Sequence, residues 1–186
     1  MPDAHTTPLR PPEPALADDA IRLEPLTQAD VPGLLALTAD PEIRRFTRVP
    51  DGADEAWVRG WIRRYEHGWS EGDRAGFAIR GHDGDLLGFA ALVELDLDTR
   101  ESEIGYMVAP AARGRGVASR AVRLLTEWGL DQLGLARLEL RIDPANTAST
   151  KVAERAGYHL DGVLRSVHFK DGVRGDLGVW SRLGQD

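Results

Sequence analysis

The apolar positions along the chain change period several times, and each change predicts an element. Alternation around Ile21 and Leu23 predicts a short strand over 21–24. Val31, Leu34, Leu35 and Leu37 then recur at helical spacing behind Thr27, a good N-cap, with Asp30 in the first turn. Pro41 is placed to begin a short helical turn through Ile43 and Phe46. Asp54 is placed to cap a long helix to about Trp69. Its large groups, Trp57, Val58, Trp61, Ile62, Tyr65 and Trp69, form one wide apolar stripe. Such a stripe is more often packed on a sheet than used as the aromatic wall of a substrate site.

From 75 to 109 the period falls to two. Strands are predicted over 75–80, 86–95 and 102–109, with the turn signals His82-Asp83-Gly84-Asp85 and Asp98-Thr99-Arg100 between them. Connections this short imply an antiparallel meander. Helical spacing returns over 117–133, with Val117, Ala121, Leu124, Leu125 and Trp128 on the buried face and Gly134 as a C-cap. Residues 136–142 alternate again, so a strand, a crossover helix and a strand predict right-handed parallel pairing of 102–109 with 136–142. A helix over 147–156 closes at Gly157, and strands over 160–169 and 175–183 join across Lys170-Asp171-Gly172.

Composition narrows the classes. Residues 1–18 hold five prolines and few large apolar groups, which predicts a disordered or loosely attached tail before a single domain over 19–186. With 186 residues the chain can bury a core, and its net charge of −7 argues against a general nucleic-acid binder. The absence of cysteine excludes disulfides, thiolate nucleophiles and cysteine-ligated metals. No spacing of histidines and carboxylates suggests a metal site, and of the histidines only His168 falls in a strand near the candidate site, where surface placement is expected. No apolar run approaches the ~20 residues that span a bilayer, and the N-terminus lacks the apolar core of a secretory signal. A cytoplasmic protein, monomeric or homodimeric and without a membrane partner, is expected.

One stretch departs from the acidic balance. Residues 104–123 read I-G-Y-M-V-A-P-A-A-R-G-R-G-V-A-S-R-A-V-R, with Arg113, Arg115, Arg120 and Arg123 and no acid between Glu103 and Glu127. A strand feeding a glycine loop that opens a helix suits a phosphate: bare N–H groups and the positive helix end point at one place. Gly114-x-Gly116-x-x-Ser119, with Glu139 twenty residues on, nearly matches a dinucleotide fingerprint. That parse fails on architecture, because three antiparallel strands precede the loop and only 67 residues follow Ser119.

The alternative parse, Arg113-x-x-Gly116-x-Ala118, resembles the acetyl-CoA loop of the GNAT superfamily of N-acetyltransferases. Downstream, Asn146-Thr-Ala-Ser149 followed by Ala156-Gly157-Tyr158 is similar to the family's N-x-x-S/A…G-F/Y segment at its usual spacing. Asp40-Pro41-Glu42-Ile43 and Glu103-Ile104-Gly105-Tyr106 resemble the Rim-type branch, which acetylates N-termini of ribosomal proteins. The resemblance covers about 20–183. It implies an α/β (α+β) GNAT fold: a mixed, mostly antiparallel twisted sheet of six to seven strands, helices on both faces, and a splayed central parallel pair. It also implies acetyl-CoA as donor and direct acetyl transfer to a primary amine, foremost a protein or peptide N-terminal α-amine. A small-molecule amine acceptor (antibiotic, amino acid or polyamine) and a non-catalytic acyl-CoA-binding domain are the alternatives.

On this resemblance, the backbone of Arg113, Gly114, Arg115, Gly116, Val117 and Ala118 cradles the pyrophosphate, and Arg113, Arg115 or Arg120 neutralises charge. A backbone N–H at Met107 or Val108 polarises the thioester carbonyl. An α-amine titrates near 7.7–8.0, so roughly one in seven is neutral at pH 7, against about one in 2,500 for a lysine near 10.4. The difference is roughly 3.5 kcal/mol of deprotonation, so an α-amine needs only a modest base. Glu103 is favoured for that role over Glu101. The family's usual acid, a tyrosine seven residues after the asparagine, is replaced here by Ala153. Ser149 is the substitute that the Rim-type branch implies, or else a helix-cap hydroxyl; Asn146 orders the cofactor arm or caps the helix.

Overall fold

The computed structural model describes residues 7–170 and 172–185. One eight-stranded mixed sheet runs through the chain, in the order β1-β2-β3-β4-β5-β6-β8-β7. The strands are β1 (Leu16–Ala17), β2 (Arg22–Pro25), β3 (Ala75–Arg80), β4 (Leu86–Asp96), β5 (Glu101–Val108), β6 (Arg137–Ile142), β7 (His159–Lys170) and β8 (Val173–Leu183). Helices α1 (Val31–Thr38), α2 (Pro41–Phe46) and α3 (Glu55–Glu71) pack with one core, built on Leu34, Ile62, Ala78 and Phe89. Helices α4 (Val117–Glu127) and α5 (Thr147–Arg155) pack with the other, built on Phe77, Leu92, Leu125 and Leu138. Sequence alternation along β3 and β4 divides their side chains between these two cores.

Local choices explain the elements. Asp40 and Asp54 accept hydrogen bonds from the Ile43 and Trp57 backbone N–H groups, so α2 and α3 begin where capping chemistry places them. Gly76 lets α3 lie close on β3, since a Cβ there would stand 2.6 Å from the Tyr65 ring. After α4 the chain widens into a π turn at Trp128–Gln132 and reverses at Gly134, whose φ is +68°.

The sheet has one more strand than expected, because the chain before residue 19 takes part in it. The first strand, β1, pairs antiparallel with β2, Leu9 and Leu16 are buried, and Leu9 N–H donates to the Trp69 carbonyl at 2.7 Å. Residues 7–18 therefore lie against the domain where a loose tail was expected, and 1–6 fall outside the described residues. The parallel pair also opens earlier than the predicted pairing of 102–109 with 136–142 implied. Only Glu101, Ser102 and Glu103 pair with Arg137, Leu138 and Glu139. Beyond Glu103, β5 continues along β4 while β6 continues along β8, so residues 104–108 border an opening. Beside that point β4 is irregular between Val93 and Asp96, with Glu94 at φ 49°.

Candidate active site

The opening widens into a cleft of about 1090 Å³. One end is lined by Arg113, Gly114, Gly116, Val117, Ala118 and Ser119 at the start of α4, and by Asn146 and Ser149 at the start of α5. The other end is lined by α2, by Trp57 and Trp61 of α3, and by Glu94, Glu103 and Arg141. The structure thus brings the loop, the Asn146 segment and Glu103 to one cavity. Arg115 is not on its wall; that guanidinium borders a separate, smaller hollow beside Asp85 and Leu87.

The loop is shaped for close approach by an anion. Gly114 and Gly116 have φ of +74° and +79°, and a Cβ on Gly114 would meet nothing within 4 Å. Gly116 is the N-cap of α4 and offers no capping side chain, which leaves the first-turn N–H groups without one. The local arginine cluster has a different explanation from the one its sequence suggests. Arg113 pairs with Asp40 at 2.6 Å and Glu42 at 3.1 Å, which ties the loop to α2. Arg120 and Arg123 both pair with Asp18, at 2.9 and 2.8 Å. Much of the excess charge is therefore answered by acids far away in sequence. At this end Lys151 and Arg155 of α5 also line the cleft, with no ion pair among the described residues. Periodicity alone hides them, since they read as the solvated face of a helix.

Strand alternation sorts the two backbone donors. Ala109 N–H donates to the Leu87 carbonyl, so odd-numbered residues of this strand turn their N–H groups toward β4. Met107 faces β4 by that rule, and the N–H of Val108 faces the opening. Side chains alternate as well. Glu103 and Met107 lie on the α1–α3 side, while Tyr106 and Val108 pack toward α4 and α5.

The Glu103 side chain keeps 19% of its exposure and stands 3.6 Å from Arg141, which also meets Glu139 at 3.3 Å and Glu94 at 3.9 Å. Burial raises the Glu103 pKa above 4.5, outweighing the guanidiniums of Arg141 and Arg48, which pull it down. Glu139, the residue a dinucleotide site would need for ribose, is occupied by Arg137 at 2.8 Å and Arg141.

Asn146 is the cap of α5: its side chain accepts from Ser149 N–H at 3.1 Å. That cap uses the backbone of Ser149 and not its hydroxyl, and Ser149 lines the cleft. Beside it stands Tyr106, which closes the Glu103-Ile104-Gly105-Tyr106 motif but was expected to have no role in the chemistry. Its hydroxyl is buried with no hydrogen-bond partner, close enough to Ser149 to be influenced by it without a completed bond. Burial drives the Tyr106 pKa up to about 12. Ala153 is fully buried, so no donor replaces it from that position. His168, expected on the surface, is half-buried and borders the cleft. The α3 stripe divides: Val58, Ile62 and Tyr65 are core, while Trp57 and Trp61 stack at 5.7 Å on the cleft wall.

A splayed parallel pair, a glycine loop opening a helix and a carboxylate at the splay point together describe an acyl-CoA-dependent transferase. Residues 20–159 match the acetyltransferase (GNAT) domain family, and the chain belongs to it as an acetyl-CoA-dependent N-acetyltransferase. The chain is 31% identical over 144 residues to the putative ribosomal N-acetyltransferase YdaF of Bacillus subtilis, covering 76% of each chain. In fold it resembles spermidine N-acetyltransferase from Vibrio cholerae, solved with CoA and spermine (TM-score 0.81, 18% identity, 90% of this chain and 98% of that one). It equally resembles RimL, a ribosomal L7/L12 α-N-protein acetyltransferase solved with CoA (TM-score 0.82, 17% identity, 91% and 97%). Among the described residues no helix is long and apolar enough to cross a membrane.

Proposed function

We propose that this enzyme acetylates a primary α-amine at the N-terminus of a protein or peptide, with the donor along the free edge of β5. Acetyl-CoA supplies the acetyl group as an activated thioester. The first turn of α4, with Gly114 and Gly116, holds the pyrophosphate, and Lys151 and Arg155 are the cations free to meet the remaining phosphate. The Val108 N–H stabilises negative charge on the carbonyl oxygen. Glu103, on the acceptor side of the strand, takes the amine proton directly or through water.

The charge of the acceptor end carries the choice of amine. Its acids each have a cationic partner: Glu42 meets Arg113, which it shares with Asp40, and Glu94 and Glu103 share Arg141 with Glu139. Arg45, Arg48 and Arg64 line the same walls with no ion pair among the described residues. A polyamine, which carries several positive charges, is repelled there, whereas an α-amine followed by acidic groups is attracted.

A single peptide tests this reading. An Ala-Glu-Asp N-terminus with a lysine further along is incubated with acetyl-CoA, and the modified amine is located by fragmentation mass spectrometry. Acetylation is expected on the α-amine alone. Modification of the lysine, or of spermidine in preference to the peptide, overturns the proposal.

A further inference from the structure

We propose that the Tyr106 hydroxyl, with Ser149 beside it, is the hydrogen-bond donor that holds the negative charge developing on the coenzyme A sulfur. The proposal rests on the acetyl-transfer reading and adds a residue that the loop and the Asn146 segment do not contain.

Three observations carry it. First, among the described residues Tyr106 Oη is the one buried side-chain polar atom with no hydrogen-bond partner. Buried hydroxyls are nearly always satisfied, so an orphan on the wall of a cleft calls for a partner that enters the cleft. Second, the side chain is on the correct side of β5. Glu103 projects toward the α1–α3 face, where the amine enters, and Tyr106 projects toward α4 and α5, where the loop and the Asn146 segment lie. The strand that holds the thioester therefore separates the proton acceptor from the sulfur donor. Third, the rival hydroxyls are committed. Tyr158 is hydrogen-bonded to Thr126 at 2.8 Å, Tyr65 packs in the α1–α3 core, and Ala153 has no donor to offer.

The chemistry balances without an added reactant. The amine nitrogen bonds the carbonyl carbon, the carbon–sulfur bond breaks, and the amine proton leaves on Glu103. The sulfur departs as a thiolate. A buried phenol pushed up to about 12 stays protonated beside a thiol, which ionises first. Tyr106 thus donates a hydrogen bond and keeps its proton, and the sulfur is protonated from solvent along the Ser149 hydroxyl.

The test compares wild type with Tyr106→Phe and Ser149→Ala. Tyr106→Phe keeps the ring and removes only the unpaired hydroxyl, so the variant is expected to melt no lower than wild type. The first readout is independent of turnover: the thiolate absorbance of bound CoA against pH, and the affinity for CoA relative to desulfo-CoA. Wild type is expected to titrate the bound thiol below its free value and to prefer CoA; Tyr106→Phe is expected to lose both properties. The second readout is kcat. With acetyl-CoA it should fall about 100-fold, the scale for one lost donor to a developing anion, with little change in KM. With the acetyl thioester of a more acidic thiol the loss should shrink below about tenfold, because that leaving group needs less help. Ser149→Ala should show a smaller loss in kcat and an unchanged thiol titration. An unaltered thiol titration in Tyr106→Phe, or equal losses with both thioesters, overturns the assignment. If wild type turns over no amine, the acetyl-transfer reading fails, while the thiol titration still decides on Tyr106.

Discussion

As the proposed base, Glu103 must be buried and still accept a proton, and those demands oppose each other. Burial raises its pKa above 4.5, so the folded state favours the neutral acid. A group raised on folding stabilises the protein below its unfolded pKa, and that contribution is lost as pH rises through the folded value. Glu103→Gln should therefore raise the melting temperature at neutral pH, with the gain vanishing below about pH 4, the ordinary carboxylate range. The same substitution should lower kcat by about 10²-fold or more. In wild type the rate should fall on the acid side through a midpoint above 4.5, measurable in a pH profile of thiol release. Gly116 makes a second demand on one residue. Its φ of +79° would strain valine badly, so alanine is the usable probe. Gly116→Ala should weaken CoA binding at least tenfold, measured by calorimetry. Gly134→Ala is the control: it has the same strain at φ +68° with open space around it, far from the loop, and CoA affinity should be unchanged.

At the scale of elements, the strap over 7–18 is fastened by one buried carboxylate. The Asp18 side chain keeps 11% of its exposure and pairs with Arg120 and Arg123 of α4. Burial alone would raise its pKa, but the Ala20 and Ile21 N–H groups and Arg120 outweigh that and bring it below 3.8. A depressed pKa gives stability that is present above the unfolded value and lost as pH falls through the folded one. Asp18→Ala should cost roughly 1–3 kcal/mol at neutral pH, read by denaturant unfolding, and should loosen α4, on which the phosphate loop depends. The strap was not legible in the sequence because proline-rich composition says nothing of a Leu9 or Leu16 that finds a core far along the chain. The loop and α4 were legible: positive-φ glycines and a 3.6-residue period are local properties. Which arginines remain free was not, since the partners of Arg113 and Arg120 lie some 70 and 100 residues away. Nor was the opening point of the parallel pair, which depends on β5 following β4 while β6 follows β8. The role of Tyr106 was hidden for the same reason: the sequence shows it within the Glu103–Tyr106 motif, but its lack of a partner is a fact of packing.

For the whole molecule, the sheet supplies the site by failing to close. Pairing between β5 and β6 ends at Glu103 and Glu139, and the free edge of β5 then runs between two faces of different character. The α4–α5 face holds the glycine loop, Ser149 and Tyr106. The α1–α3 face holds Glu103, the stacked Trp57 and Trp61, and the arginines Arg45, Arg48 and Arg64. On the proposed reading donor and acceptor enter from opposite sides, which would leave the chemistry of the acceptor to the elements before β5. This second face is proposed to select an α-amine carrying acidic groups. That selection is tested most directly by kcat/KM for thiol release from acetyl-CoA with three acceptors: an Ala-Glu-Asp peptide, the same peptide with Lys-Lys in place of Glu-Asp, and spermidine. The acidic peptide should exceed both others, by about tenfold per unpaired arginine engaged if each contact contributes ~1.4 kcal/mol. Spermidine turned over as well as or better than the acidic peptide would rule out that selection.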